Sequence, residues 1–395
     1  MINPDTAAPE CPLRYPFGEA HTLDLEPDYR DAGPVAQVEL PSGALAWLVT
    51  DHSLVRRVLA DPVFSREHAN RPEVARLSTE VLPAEAILAT DPPRHTELRT
   101  LIAGMFAPRQ VAAMAPAVTD LANALVDALP ATGGPADIVT GFTEPFAAAV
   151  VCEMFGVPPR FREQVFALGD ALTARDATTA TLAAARDECE DLARAMAAEN
   201  RVGLFAMLGQ SPGGDEDVLN LIIACLIGGR GSPTVFLSST VFALLRERSH
   251  YRQLVENPDR IPAAVEELLR FVPVGVGGGF TRVATADVQL GPVLVRAGEA
   301  VIPAMHAAGR DPAVFAGPDE LSLDRGMKLP HLAFGHGAHY CVGAGLARLE
   351  ARIALETLTV RLPDLRLAAP ADAGIWRQGR VVRSLERLDV TWTPN

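Results

Sequence analysis

A single cysteine in a glycine-rich loop is the residue of this chain best suited to hold a metal ion. Cys341 lies in the segment HLAFGHGAHYCVGAG, which spans positions 331–345 and runs directly into a helical sequence. A thiolate persists at neutral pH only beside positive charge or a metal, and a helix N-terminus supplies partial positive charge. Gly335, Gly337 and Gly343 lack side chains, which allows a large flat cofactor to approach the backbone closely. Because no second cysteine stands at zinc-ligand spacing, a lone axial thiolate for heme iron explains the pattern better than structural zinc.

The residues around this cysteine resemble the heme-binding loop of the cytochrome P450 family. The family pattern Phe-Gly-x-Gly-x-His-x-Cys-x-Gly matches at every fixed position, from Phe334 to Gly343. A buried structural cysteine in a tight loop is the alternative interpretation. The resemblance implies that Cys341 binds the iron of heme b. It also implies that Phe334, Gly335, His339 and Gly343 surround the cofactor.

Composition restricts the classes of protein to which the chain can belong. With 48% hydrophobic residues among 395, the chain can build a large core without disulfides. Its five cysteines are scattered and odd in number, which favours a reducing cytoplasm. The N-terminus lacks the pattern of a signal peptide, and no window of about eighteen apolar residues predicts a membrane span. A net charge of −14 argues against nucleic acid as a partner. We therefore expect a cytoplasmic monomer without membrane or nucleic-acid contacts.

Helical periodicity dominates the chain, and strand patterns are confined to shorter segments. Residues 1–34 are proline-rich and polar and predict an irregular arm, whereas 97–269 has a helical pattern. Strands are expected as a hairpin (Val35–Leu40 with Ala44–Thr50) before an Asp51-capped helix, as short strands between Val283 and Val301, and near Leu365–Leu367 and Leu388–Trp392. The pattern predicts a mainly α protein with a smaller β-sheet region (α+β), in one domain over 1–395. The resemblance covers roughly residues 35–390 and implies the P450 fold, a triangular helix-rich body with heme between a central helix and the cysteine loop.

One carboxylate and one guanidinium stand three residues apart in a helical sequence. Glu267 and Arg270 share a helix face, so they can form a local ion pair. Such pairs are most often exposed to solvent and contribute little to stability. The pair nevertheless resembles the family's E-x-x-R motif, which supports the core on the heme side through a third partner. The resemblance implies that Arg325, upstream of the cysteine loop, is that partner, in a structural role.

Four basic side chains are candidates to meet the carboxylates of the heme. His95 and Arg99 are four apart on one face of a helical segment that is similar to the start of the family's C helix. Arg282 opens a predicted strand, and His339 stands two residues before Cys341. Buried carboxylates need paired donors, and arginine provides them best through its fixed fork. Each of the four is also compatible with an ordinary surface charge.

The segment Leu219–Leu237 resembles the central helix that crosses the heme in the family, but it lacks one chemical group. The family usually carries A/G-G-x-D/E-T-T/S there, in which the acid and the threonine organise water for proton delivery. The ungapped match places Gly231 at the acid and Ser232 at the threonine. Pro233 and the nearby glycines disfavour a helix, so we expect a kink or an unwound turn above the iron. Either Ser232 or Thr234 then serves as the catalytic hydroxyl.

The missing acid has two interpretations. In one, a normal hydroxylase receives protons through water, Ser232 or the substrate; in the other, the enzyme runs an atypical oxidation such as ring formation, coupling or rearrangement. Arg230 either anchors a substrate carboxylate or points away and pairs structurally. The expected substrate-binding residues are Arg230, Gly228, Gly229, Val276 and Phe280.

Three functions follow from these expectations. The first is heme-thiolate oxidation of a small organic molecule in bacterial secondary metabolism, with O2 and with electrons from a ferredoxin and a ferredoxin reductase. Arg348 and Arg352 would supply a basic patch for an acidic ferredoxin. The second is a peroxide-driven peroxygenase in which Arg230 anchors an acidic substrate. The third is a heme protein that binds a partner without catalysis.

Overall fold

A computed structural model describes residues 12–17, 22–75, 86–172, 179–199, 203–208, 215–275, 279–326, 329–369, 374–377 and 382–394. The helices of this part are α1 (Asp28–Asp31), α2 (His52–Ala60), α3 (Arg66–Ala69), α4 (Arg94–Ala103), α5 (Pro108–Ala113), α6 (Ala115–Asp127), α7 (Glu144–Phe155), α8 (Arg162–Leu172), α9 (Thr179–Glu199), α10 (Asp215–Arg246), α11 (Arg248–Glu256), α12 (Ile261–Phe271), α13 (Met305–Ala308) and α14 (Ala344–Arg361). The strands are β1 (Leu13–Arg14), β2 (Val35–Glu39), β3 (Leu45–Val49), β4 (Phe64–Ser65), β5 (Ala136–Asp137), β6 (Arg282–Ala284), β7 (Val288–Leu290), β8 (Val293–Val295), β9 (Ala300–Pro303), β10 (Arg366–Leu367), β11 (Ile375–Trp376), β12 (Leu385–Arg387) and β13 (Asp389–Thr391).

Within the described residues, the strands form four sheets beside a helical body. The largest has six strands in the order β1-β2-β3-β9-β6-β4, and the others are β10-β13-β5, β11-β12 and β7-β8. The predicted first hairpin is confirmed, with β2 and β3 antiparallel from Val35 opposite Val49. The predicted cap is confirmed as well, because the side chain of Asp51 accepts a hydrogen bond from the Leu54 N–H at 2.9 Å. This sheet presents the strands β6 and β4 that carry part of the functional site.

The long helix α10 passes through the core of the helical body. It is continuous from Asp215 to Arg246, with Pro233 in its interior, so of the two predicted alternatives, a kink or an unwound turn, the unwound turn is wrong. All residues from 235 to 245 are buried. Tertiary packing of this length of apolar surface stabilises the helix against the cost of one proline and three glycines. By length and composition alone α10 is able to cross a membrane, but buried core helices meet the same criteria.

The described part of the N-terminal segment contains two short elements, β1 and α1, between irregular stretches, and it packs against the main sheet. Strand β1 adds in parallel to β2 at the edge of the main sheet. Tyr15, Phe17 and Tyr29 are buried and meet edge to face, and their ring centroids are 4.9 to 6.0 Å apart. Burial of these three aromatic rings anchors the segment to the body of the protein.

Candidate functional site

The cysteine loop has a backbone geometry that requires glycine. Gly335 and Gly337 have φ values of +73° and +74°, in the left-handed region. A Cβ on Gly337 would lie 2.7 Å from the carbonyl oxygen of Leu59, so no other residue fits there. The Cys341 N–H donates to the carbonyl oxygen of Phe334 at 2.9 Å, which closes the loop. The loop thus presents Cys341 directly before the first turn of α14.

The sulfur of Cys341 lies in an environment that favours the thiol unless a metal is bound. Burial raises the pKa of Cys341, although the backbone N–H of Gly343 and the charges of Arg99 and Arg348 oppose this. The cysteine as a residue still presents accessible surface, so its sulfur can be reached by a cofactor. A thiolate here therefore depends on a bound metal to stabilise its charge.

The predicted basic side chains converge beside this loop. The rings of His95 and His339 lie 4.1 Å apart between centroids. Burial and the charges of His339 and Arg99 lower the pKa of His95 to about 4, and burial also lowers the pKa of His339, so both rings are neutral at pH 7. Arg282 is 4% exposed. The four predicted basic side chains therefore lie close together although they come from three separate segments. They are His95, Arg99, Arg282 and His339.

Arg66 and Asp91 belong to the same cluster and were missed by the sequence analysis. Strand β4 pairs antiparallel with β6, with Ser65 opposite Val283, and this register brings Arg66 beside Arg282. Although burial opposes it, the nearby His339 and hydrogen bonds from Ser65 and the backbone hold the pKa of Asp91 well below its usual range. A two-residue strand carries too little pattern to predict this pairing from the sequence.

The charge of this cluster matches that of a heme edge. Burial lowers the pKa of Arg66 to about 10 and that of Arg282 to about 9, so both stay charged at pH 7. Together with Arg99 and the carboxylate of Asp91 they leave two positive charges in excess, and heme b carries two carboxylates. Among the described residues, Arg282 Nη1 and His339 Nε2 are buried without a hydrogen-bond partner. A buried donor without a partner indicates a missing acceptor, and these residues therefore fit heme carboxylates.

The pair Glu267–Arg270 is buried rather than exposed. Arg270 donates to both carboxylate oxygens of Glu267, from Nε at 2.8 Å and from Nη2 at 2.7 Å. Arg325 Nε lies 3.0 Å from both oxygens, and the Ser322 N–H donates at 2.9 Å. Arg270 also donates to the carbonyl oxygens of Gly309, Pro318 and Glu320, which ties the loop before the cysteine to α12. The three charged residues thus form one buried network.

One face of α10 is turned toward Cys341. Burial and the charge of Cys341 raise the pKa of Cys225 to about 12, which places these two cysteines near each other. Ser232 follows Cys225 by about two helical turns and therefore lies on the same face, whereas Thr234 follows by about two and a half turns and lies opposite. Gly228 and Ser232 are exposed, although they lie midway along a core helix. On this continuous helix Ser232 is the hydroxyl on the Cys341-facing side. Thr234, the other predicted catalytic hydroxyl, lies opposite, and its Oγ1 is buried without a hydrogen-bond partner among the described residues.

Arg230 is engaged away from this face, so the prediction that it anchors a substrate is wrong. Its Nη2 donates to Glu144 of α7 at 3.0 Å, and its Nη1 donates to the carbonyl oxygen of Phe166 at 3.1 Å. The guanidinium also lies 5.4 Å from the centroid of the Phe166 ring. Arg230 lies about half a turn away from the side of α10 that faces Cys341, which explains why it contacts α7 and α8 instead.

Replacing Arg230 by leucine is expected to lower stability without changing ligand binding. The change leaves Glu144 without its partner and costs about 1–3 kcal/mol. Chemical denaturation measures the stability, and optical titration with an acidic and a neutral ligand measures binding. Arg296→Leu is the matched control, because its pair with Asp287 is well exposed, with side-chain exposures of 63% and 51%. Selective loss of affinity for the acidic ligand in R230L would restore the anchoring role.

The remaining substrate-binding candidates differ in what the structure shows. A Cβ on Gly228 would meet nothing within 4 Å, so the helix leaves space there. A Cβ on Gly229 would lie 2.6 Å from Cγ2 of Val151, so helix packing accounts for that glycine. Phe280 is 56% exposed, and the centroid of its ring lies 4.9 Å from the guanidinium carbon of Arg66. Val276 lies outside the described residues.

Comparisons with known proteins agree with the geometry of the site. The model of the family described as Cytochrome P450 matches residues 241–361. The chain is 41% identical to Nocardicin C N-oxygenase of Nocardia uniformis subsp. tsuyamanensis, over 96% of this chain and 98% of that protein. It is 36% identical to Mycinamicin IV hydroxylase/epoxidase of Micromonospora griseorubida, over 96% of this chain and 99% of that protein.

Solved structures share the whole fold. The crystal structure of HinD with NMFT and NO has a TM-score of 0.89 and 40% identity, and the match covers 97% of this chain and all of that one. A point mutant of the mixed-function P450 MycG in complex with mycinamicin V also has a TM-score of 0.89 at 36% identity, over 96% of this chain and all of that one. The α+β fold predicted from the sequence is confirmed. The cysteine loop, the buried E-x-x-R network and these full-length matches show that the chain belongs to the cytochrome P450 family.

Proposed function

We propose that this P450 is a cytoplasmic, single-domain monomer that uses O2 and ferredoxin-derived electrons to oxidise an amine-bearing small molecule. Family membership establishes heme b as the cofactor and a small organic molecule as the substrate, in bacterial secondary metabolism. The observation that carries the proposal is the glycine-dependent loop that presents Cys341 beside the buried, unpartnered donor atoms of Arg282 and His339. The amine is suggested by the relative of 41% identity, which is named an N-oxygenase.

Each part of the site has a task in this proposal. Heme b, when held by Cys341, supplies the iron chemistry that oxidises the substrate. Arg282, Arg99 and His339 bind its carboxylates and fix its orientation. Ser232 holds a proton at Oγ on the Cys341-facing side of α10, where Gly231 provides no acid. Gly228 leaves room for the substrate beside this hydroxyl.

The charges on the surface around the cysteine loop affect which electron donor can dock there. A concavity of about 500 Å³ there is lined by the cysteine loop and by charged side chains, among them Glu266 and Arg348. Arg348 Nε donates to Glu266 at 2.6 Å, and Arg352 pairs with Glu356 at 3.2 Å. The two arginines expected to form a basic patch are therefore each neutralised by a carboxylate. A ferredoxin would meet a surface of mixed charge, so its docking should depend only weakly on salt.

Reconstituted turnover tests the proposed function. Purified protein is supplied with NAD(P)H, a ferredoxin reductase and a ferredoxin, and a panel of amines is compared with the matching alcohols. We expect product from an amine, with O2 and NAD(P)H consumed together. Omission of the ferredoxin should abolish turnover. Product from alcohols but not amines would overturn the substrate class.

A peroxygenase is the second candidate, because Gly231 replaces the acid that organises proton delivery in relatives. Hydrogen peroxide is dioxygen already reduced by two electrons and protonated twice, so this chemistry needs neither the acid nor a ferredoxin. The same panel with hydrogen peroxide and no ferredoxin distinguishes the two. Turnover with hydrogen peroxide but not with the ferredoxin system would favour the peroxygenase over the ferredoxin-dependent enzyme.

A further inference from the structure

One carboxyl group in the interior of the protein has no cationic partner in the described part of the chain. Glu350 is 2% exposed in α14, and its Oε2 is buried there without a hydrogen-bond partner. The other two buried carboxyl side chains of the described residues, Asp217 and Glu267, each pair with an arginine. Burial raises the pKa of Glu350 well above its usual range, which favours the neutral, protonated form.

Stability does not account for this buried acid. A polar group that leaves water without gaining a hydrogen bond destabilises the folded state, and leucine at this position would avoid that cost. A buried polar group without a partner therefore indicates either ordered water or a chemical task. A carboxyl group that burial keeps protonated is a source of a proton.

Two hydroxyl groups of α10 are in the same condition. Ser239 and Thr240 are buried, and their hydroxyl oxygens have no hydrogen-bond partner among the residues that the structure describes. They follow Ser232 by about two helical turns and lie on the same side of the helix. Ser238, in contrast, donates from Oγ to the carbonyl oxygen of Thr234 at 2.9 Å, as helical hydroxyls commonly do. The hydroxyls of Ser239 and Thr240 are thus free to bind water.

The acid and the two hydroxyls belong to the same part of the core. Helix α14 begins directly after the cysteine loop and packs against α10. Phe236 lies between Ser232 and Ser239 on α10, and Ile353 follows Glu350 by about one turn on α14. These two apolar residues belong to one buried cluster. A short line of water molecules would join the acid on α14 to the hydroxyls on α10.

We propose that Glu350 is a positioning residue for proton delivery, which holds a proton at Oε2 and releases it to Ser232 through water bound by Ser239 and Thr240. The proposal rests on the proposed function in one respect, that Ser232 passes protons into the site. Each oxygen on the route accepts one proton and releases another, so Ser232 passes on one proton for each that leaves Glu350. The carboxylate regains a proton from solvent, and no electrons move. This route supplies protons where Gly231 provides no acid.

Infrared spectroscopy of the heme-loaded ferric protein tests this without turnover. A protonated carboxyl group has a C=O stretching band apart from those of carboxylates, and the band shifts in D2O when O–H becomes O–D. Wild type is expected to show such a band, and Glu350→Gln should lack it. In the double variant Ser239→Ala, Thr240→Ala the band should remain but exchange about tenfold more slowly, because each hydroxyl contributes about one hydrogen bond to the water.

The reconstituted reaction adds a measurement that a purely structural role would not change. E350Q keeps the size of the side chain but has no acidic proton, so its ferredoxin-driven turnover should fall at least about tenfold. The ratio of peroxide-driven to ferredoxin-driven turnover should rise by the same factor, because hydrogen peroxide brings two protons with it. A structural defect would lower both rates and leave their ratio unchanged. Glu356→Gln is the matched control, since Glu356 lies on the same helix with its side chain 42% exposed.

A protonated-carboxyl band that is absent from wild type, or that survives in E350Q, would overturn the proposal. Equal exchange rates in wild type and the double variant would overturn the route through the two hydroxyls. An unchanged ratio of the two turnover rates in E350Q would overturn the release of the proton to Ser232. If E350Q folds poorly, the double variant still tests the route. The infrared measurements need neither an electron donor nor a substrate, so failure of the reconstituted reaction leaves their result intact.

Discussion

Replacement of Glu267 by alanine should cost about 3–5 kcal/mol of folding free energy, because it removes the anion of a fully buried network. Glu267 is 0% exposed and Arg270 is 3% exposed. Without the carboxylate, Arg270 and Arg325 are left close together in the interior with no anion between them. The loop that leads to Cys341 depends on these contacts, so the heme content should fall with the stability.

Urea denaturation and the ratio of heme to protein measure both effects. Glu356→Ala is the matched control, because its pair with Arg352 is exposed, with side-chain exposures of 42% and 39%. That change should cost less than about 1 kcal/mol. If E267A were as stable as E356A, the network would contribute nothing to the fold of the cysteine loop.

Substitution of Cys341 by alanine should abolish turnover and weaken heme retention. The backbone of the loop remains, since the Cys341 N–H and the glycines at 335 and 337 do not depend on the thiol. Only the iron ligand is lost. Cys225→Ala is the matched control, because it removes a thiol from the opposite wall of the same space. C225A should retain both heme and turnover. Equal loss of heme and turnover in the two variants would contradict the assignment of Cys341 as the iron ligand.

The features that the sequence predicted well are local. The cysteine loop, the cap at Asp51 and the first hairpin each depend on contacts between residues close in sequence. The P450 fold followed from the resemblance of the cysteine loop and of the motifs placed in order along the chain. The clustering of His95 and His339 was also expected, because the family resemblance assigned both to the same cofactor edge.

The features that were predicted incorrectly depend on packing over long sequence distances. The proline and glycines near Gly231 disfavour a helix locally, yet burial of the flanking turns of α10 keeps it continuous. The role of Arg230 depends on Glu144, which is 86 residues away and gives no sign of pairing in the sequence. Arg66 enters the site only through the pairing of two very short strands. None of these contacts has a sequence pattern of its own.

Carbon monoxide binding to the dithionite-reduced protein tests the central claim most directly. Thiolate ligation by Cys341 predicts the red-shifted absorbance band that gives the P450 family its name, and C341A should lack that band while C225A retains it. A wild-type spectrum typical of a histidine-ligated heme, or a red-shifted band that survives in C341A, would contradict the assignment of Cys341 as the iron ligand.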